Sequence, residues 1–251
     1  MTTLAVFEYH LVAYRRVWRG SVLSSFVLPL LTVVGFGVVV GAYIKGGVGG
    51  VSYLEYLVPG LIAATALQVA IGDSSWPVLG NFNWTKIYGG QAAAPLRVAD
   101  ILSGHLAFVL FRVLISSSAF LLVAAAFGAL GSPWALATLP VALLVGLAVS
   151  APTFAFAATI KTDSYLALLF RFGVLPMTLF SGVFFPVESL PLMLRWLAYI
   201  SPLWHGVDVC RAATLGVAPE WSIPGHLLYL AAWGAVGWLL AYRRFRKRLV
   251  I

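Results

Sequence analysis

Long apolar runs alternate with short polar links along this chain. A helix that crosses a bilayer takes about 20 mainly apolar residues. The sequence offers six such stretches: about Val22 to Ile44, Leu57 to Leu79, Ile101 to Phe127, Trp134 to Ile160, Tyr165 to Phe185 and Pro224 to Tyr242. A soluble core could not hide so much apolar surface, whereas a bilayer is a solvent that accepts it. The pattern predicts an all-α integral membrane protein of six transmembrane helices, with residues 1–251 forming a single transmembrane domain.

Three stretches depart from simple spans. From Thr2 to Arg19, the apolar residues Leu4, Phe7, Leu11, Tyr14 and Trp18 recur at roughly helical spacing among polar and basic ones. That pattern suits an amphipathic helix lying in the membrane interface over residues 1–20. Asn81 to Leu96 is the longest polar link on its side and has room for a short surface helix. Pro186 to Gly216 is too apolar for an ordinary loop, and prolines and charges interrupt it. It reads as one or two short re-entrant or interfacial helices, with Trp196, Tyr199 and Trp204 suited to the headgroup level.

Composition and charge add an orientation. Hydrophobic residues make up 61% of the chain and charged ones 10%, far below the roughly one quarter of soluble domains. The net charge of +8 is gathered in alternate links. Arg15, Arg16, Arg19, Lys86, Arg97, Lys161 and the tail from Arg243 to Arg248 share one side. The other side holds Lys45, Arg195 and Arg211 beside Glu55, Glu188, Asp208 and Glu220. The positive-inside rule places both termini in the cytoplasm, and an even span count agrees; the preference for alanine, glycine and arginine over lysine and asparagine points to a bacterial cytoplasmic (inner) membrane. The basic excess is therefore read as topology, with no nucleic-acid partner. Glu8 and the early arginines precede any long apolar run, so the first span is expected to be retained rather than cleaved. The lone Cys210 cannot form an intrachain disulfide.

Candidate chemistry is sparse. There is no GxxxxGK[ST] loop for nucleotide and no HExxH or His/Cys cluster for a metal, so no metal or cofactor is expected in the chain itself. His10, His105, His205 and His226 are scattered and read as packing or interfacial residues. Ser181-Gly182 lacks the preceding glycine of the GxSG pattern that intramembrane serine proteases carry. Asp73 and Arg112 lie inside the second and third spans, where unpaired charge is costly. At similar depth they would form an ion pair, either a structural lock or part of a proton or substrate relay. Arg171 sits near a span end and can snorkel. Glu188 follows a proline at the outer edge and is either a cap or a gate residue.

The order of these features resembles a known family. A basic amphipathic start is followed by YLEYLVPGLIAATAL and by a polar link ending in AAAPLRVADILSG. Then comes FSGVFFPVESLP…ISPLWHGVDVCR before the last span. The chain resembles the permease subunits of ABC type-2 transporters over nearly its whole length. Within them it is most similar to the Nod-factor (lipooligosaccharide) and daunorubicin-type drug export permeases. Val58-Pro59-Gly60, Pro95-Leu96-Arg97, Phe185-Pro186, Leu190-Pro191 and Arg211 carry the likeness. Ala94 and Ser201 depart from the residues most frequent there.

The resemblance implies a permease that exports an amphipathic or lipid-linked substrate and pairs with a second copy. ATP and Mg would be bound by a separate ATPase subunit, so this chain would not itself be an enzyme. The coupling segment would be Asn81 to Leu96, with Asn83, Trp84, Thr85, Lys86, Ile87 and Tyr88 meeting the ATPase. Phe185, Pro186 and Glu188 would form the outer gate. Tyr9, Tyr14 and Trp18 would meet a lipid-linked substrate or serve as interfacial anchors. A stand-alone secondary transporter is the main alternative, although no internal repeat supports it.

Overall fold

The structure is a computed structural model and describes residues 2–44 and 46–250. Lys45, one of the charges used for orientation, lies outside the described residues. Among the described residues all regular structure is helical, apart from one antiparallel bridge between Val48 and Val51.

Helix α1 (Thr2–Thr32) continues through a wide turn, Val33–Val40, and a tight one, Gly41–Tyr43. Helix α2 (Tyr53–Ser74) runs almost directly into α3 (Trp76–Asn83), and a short α4 (Ile87–Ala93) follows. Helix α5 (Val98–Ala126) and α6 (Thr138–Ala157, entered through a tight turn at Pro133–Ala137) come next. Helices α7 (Ser164–Leu169) and α8 (Leu175–Phe180) are joined by a wide turn at Phe170–Val174. Helices α9 (Leu192–Ile200), α10 (Pro202–Leu215) and α11 (Ile223–Leu249) complete the chain.

Among the described residues four continuous stretches are long and apolar enough to cross a membrane: Tyr53–Asn83, Val98–Ala126, Pro133–Ala157 and Ile223–Leu249. The shortest has 25 residues; at ~1.5 Å per residue it exceeds the roughly 30 Å hydrocarbon core. Pro29–Tyr43 and Ser164–Phe180 are apolar but shorter. Both contain a wide turn. In the second, Pro176 cannot donate its share of the helical ladder, which loosens the turn before it. In the first, Leu54 of α2 presses onto Gly37, where a Cβ would stand 2.4 Å from Leu54 Cδ1.

Helix α1 carries the expected helix of residues 1–20 from Thr2 and continues beyond it. It does not break at Gly20, and its first half follows α5 in step. Thr3 reaches Asp100, Val6 fills the space over Gly104, His10 stacks on His105, and Tyr14 meets Phe108. The missing side chain at Gly104 and the stacked histidines supply the seat.

Helix α2 is the centre of the core, buried from Tyr56 to Ala64. Around it the helices approach through small residues, as membrane helices do. A Cβ at Gly206 would stand 2.2 Å from Val145, and one at Gly237 2.4 Å from Pro152. The bundle has two distinct ends. Thr3, Asn83, Asp100, Lys161 and Arg248 meet at one, here called the terminal end. At the far end, Gly131 N–H donates to Thr214 (3.0 Å) and the Tyr53 hydroxyl to the Phe184 carbonyl (3.3 Å).

Candidate functional site

At the terminal end the 81–96 link is a knob bolted to the bundle. Asn83 Nδ2 donates to the Lys161 carbonyl at 3.0 Å, and its Oδ1 accepts from the Arg248 guanidinium. That guanidinium also reaches the Ala158 carbonyl (3.2 Å) and lies 4.3 Å over the Phe82 ring. Tyr88 is fully buried between Phe82 and Phe245, with its hydroxyl 2.6 Å from His105 Nδ1. These two members of the predicted contact set therefore face inward. An aromatic side chain in a polar link has a dry slot waiting for it, and the asparagine is consumed by carbonyl and guanidinium partners. Trp84, Thr85 and Lys86 stand out in solvent, and Ile87 is half-buried. Lys86 holds the left-handed conformation (φ 52°), which turns the chain sharply into α4. Gly89 and Gly90 leave one side of α4 open and flat.

Deep in the bundle, Arg112 Nε donates to Asp73 Oδ2 at 3.1 Å, joining α5 to α2. The same guanidinium lies 4.9 Å over the Tyr14 ring. The pair thus ties α1, α2 and α5 together, and both side chains stay about a quarter exposed. Beside Arg112 opens a cavity of about 290 Å³ whose walls include Thr65, Gln68, Ser116, Thr178 and Phe184. Its mix of hydroxyl, amide and guanidinium groups with aromatic surface can hold a molecule that is part polar and part greasy. Tyr9 and Trp18, the other two residues of the predicted substrate contact, are exposed on α1 apart from Tyr14.

At the far end, residues 181–191 form an irregular stretch laid across α2. The Val183 backbone crosses at Gly60, where a Cβ would stand 2.8 Å from Val183 Cα. Gly182, at φ 77°, turns the chain so that its carbonyl accepts from Arg211 Nη2 (2.7 Å) and faces the Tyr56 hydroxyl (3.4 Å). The Arg211 guanidinium lies 4.1 Å over the Tyr56 ring. Ser181 donates to Ser201 at 2.8 Å in a buried contact. Phe185 and Pro186 are half-buried, and Glu188 is exposed at the rim. Its carbonyl accepts from Arg195, and its carboxylate is held below the usual range chiefly by the Glu220 side chain. Burial and Glu188 push the Glu220 carboxyl up to about 7.

Tyr56 carries no signal of its own in the sequence, Ser201 stands out there only as a departure from the residue most frequent in the family, and His205 and His226 read singly, as packing or interfacial residues. The histidines sit 21 positions apart and meet across a Pro/Gly link, at 2.8 Å between their Nδ1 atoms. No local pattern announces such a pair.

The family described as ABC-2 type transporter matches residues 2–215 of the chain. Nodulation protein J of Rhizobium leguminosarum bv. trifolii is 27% identical over 98% of this chain and 94% of its own. Nodulation protein J of Bradyrhizobium diazoefficiens is 24% identical over 98% and 93%. The inner membrane transport permease YadH of Escherichia coli K12 is 23% identical over 92% and 90%.

Proposed function

The chain belongs to the ABC-2 type transporter family, as a membrane permease of an ABC exporter, and on that premise we propose how its parts divide the work. Two copies pair in the bacterial inner membrane and flank the export path. A separate ATPase subunit, carrying ATP and Mg, docks on the terminal end. Pro29–Tyr43 and Ser164–Phe180 serve as the first and fifth of six spans, thinned by their wide turns. Helices α9 and α10 form an outer re-entrant hairpin. Both termini lie in the cytoplasm, in keeping with the basic residues Lys86, Arg97, Lys161 and Arg243 to Arg248 at the terminal end.

One observation carries the coupling role. The tip Trp84–Lys86 stands in solvent while Asn83 and Tyr88 on either side fasten it to α5 and α11. A push on such a tip moves helices rather than bending a loop. Trp84, Thr85, Lys86 and the open Gly89–Gly90 face form the docking surface, and Asn83, Ile87 and Tyr88 transmit the load.

The substrate is amphipathic or lipid-linked, such as a lipooligosaccharide, with hydrophobic drugs as the second class. The cavity beside Arg112 supports this, because polar and aromatic groups share its wall within the bundle. Tyr14, under Arg112, would line its approach from the terminal end, and Tyr9 and Trp18 would contact lipid. Phe185, Pro186 and Glu188 form the outer rim.

The test is ATP turnover of a partner ABC ATPase subunit co-expressed with this chain, measured in lipid with and without it. The reading expects turnover to depend on the permease and to lose that dependence in Trp84→Ala and Lys86→Ala, with the complex still assembled. No binding and no effect on turnover would sink it.

A further inference from the structure

At the far end, His205 of α10 and His226 of α11 form a closed polar chain. His205 Nε2 lies 3.0 Å from the Tyr199 carbonyl, which ends α9. His205 Nδ1 lies 2.8 Å from His226 Nδ1. His226 Nε2 lies 3.0 Å from Asp208 Oδ2, off the line of a hydrogen bond, and it forms no hydrogen bond among the described residues. Asp208 Oδ2 also accepts from the Glu220 backbone N–H at 2.8 Å. Both rings are fully buried.

The hydrogens in this chain can be counted. A carbonyl only accepts, so His205 Nε2 must carry a hydrogen. Two ring nitrogens at 2.8 Å must share one hydrogen between them. A carboxylate oxygen that already takes one N–H faces His226 Nε2, and that contact is attractive only with a hydrogen on it. Two neutral imidazoles bring the two hydrogens that the two hydrogen bonds need, and a third, on His226 Nε2, is what turns its close contact with Asp208 into an attraction. Without the third, an unprotonated nitrogen stands 3.0 Å from a carboxylate oxygen with no hydrogen bond to offset the repulsion. Burial opposes a charge here, but Asp208 balances it. The aromatic walls help as well: Tyr229 stacks on His205 at 3.9 Å, and Trp204 and Trp221 lie 5.2 and 6.0 Å from His226.

We propose that His205, His226 and Asp208 form a buried proton-binding site that clasps the α9–α10 hairpin to the start of α11. The clasp joins four pieces of chain: the end of α9, α10, the 216–222 link through Glu220, and α11. It tightens when the proton is bound and loosens when it leaves. Other titratable groups surround it. Tyr229 donates to the Ile200 carbonyl (2.5 Å), and the Tyr199 hydroxyl lies 3.5 Å from Glu220. Glu188 and Arg195 lie beyond Glu220, and Arg211 points away to Gly182. The site stands whichever compartment the far end faces. In the orientation proposed above, it would let external pH set the hold on the outer hairpin.

The experiment is nitrogen NMR of the protein in lipid, labelled with ¹⁵N at histidine, from pH 5 to 9. The expected result at pH 7 is one ring with both nitrogens protonated, absent in His226→Gln, and one with hydrogen on Nε2, absent in His205→Gln. Asp208→Asn should move the loss of the doubly protonated signal at least one unit lower in pH. If a variant fails to fold, the wild-type spectrum alone decides, because four neutral rings at pH 7 overturn the site. Hydrogen exchange reads the clasp. Amide protection over 199–230, corrected for intrinsic rates, should fall as the doubly protonated signal disappears. Protection that stays level through that titration overturns the clasp.

Discussion

The hydroxyl of Tyr88 lies 2.6 Å from Nδ1 of His105, and both side chains are buried where α4 meets α5. A residue four positions earlier, Trp84, stands in solvent at the tip of the same link. The two aromatics should therefore fail differently. Tyr88→Ala leaves a cavity among Phe82, Phe245 and His105, and should cost about 3–5 kcal/mol of stability. Tyr88→Phe keeps the ring and loses one hydrogen bond, at about 1 kcal/mol. Trp84→Ala should leave thermal unfolding unchanged and lower permease-dependent ATP turnover. Unfolding curves in lipid or detergent, beside turnover of the complex, separate the two.

The Asp73–Arg112 contact makes a second prediction. Removing Asp73 takes away the carboxylate that faces Arg112 and leaves the charge less well balanced. Because both side chains keep some exposure, Asp73→Asn should cost on the order of 2 kcal/mol rather than the full amount for a dry pair. The exchanged protein, Asp73→Arg with Arg112→Asp, should recover part of that loss if the pair is a lock. A double-mutant cycle on thermal stability measures the coupling. An exchanged protein that folds normally and does not transport would instead give Arg112 a role at the cavity it lines.

These cases show what the sequence could and could not disclose. Asp73 and Arg112 were legible because charges within apolar runs are rare and must pair. The four long spans were legible because 25 or more mainly apolar residues have few other uses. The wide turns in Val33–Val40 and Phe170–Val174 were not, since glycine and proline in an apolar run permit several helical geometries. Tyr88 resembled a surface residue because its neighbours are polar, and the slot that buries it comes from α3, α5 and α11. His205 and His226 were read singly because only the hairpin's return onto α11 brings them together. The continuity of α1 through Gly20 was hidden because the seat on α5 is a missing side chain, at Gly104.

Gly60 gives a third prediction. The glycine of the Val58-Pro59-Gly60 motif lies on a helix with ordinary dihedrals, so backbone freedom does not explain it. Its role is to let the Val183 backbone pass: an added Cβ would stand 2.8 Å from Val183 Cα and 2.9 Å from its carbonyl oxygen. Backbone cannot rotate away as a side-chain tip can. Gly60→Ala should lift the 181–191 stretch and cost about 1–3 kcal/mol. Gly89→Ala, in open space on α4, should be neutral for stability. Thermal unfolding of the two variants checks the contrast.

The last prediction concerns pH at the rim. Burial, with Glu188 adding to it, raises the Glu220 carboxyl from an ordinary 4.5 to about 7. The Glu220 side chain is the main reason that the Glu188 carboxyl goes down. A raised acid is held in its protonated form, so its contribution is complete below about 4.5 and is lost as pH climbs to about 7. Glu188 works in the opposite sense and below 4.5, so the two windows do not overlap. Stability of the far-end hairpin should thus decline between about pH 4.5 and 7 and stay level above that, as far as this pair is concerned. Glu220→Gln keeps a donor for Glu188 and removes the titration, so the decline over that window should shrink. The doubly protonated histidine signal should remain in that variant, because the Asp208 contact uses the backbone N–H of residue 220 and not its side chain. Hydrogen exchange over 187–200 at stepped pH, in the wild type and Glu220→Gln, measures the effect; identical profiles would remove Glu220 from any pH response of the rim.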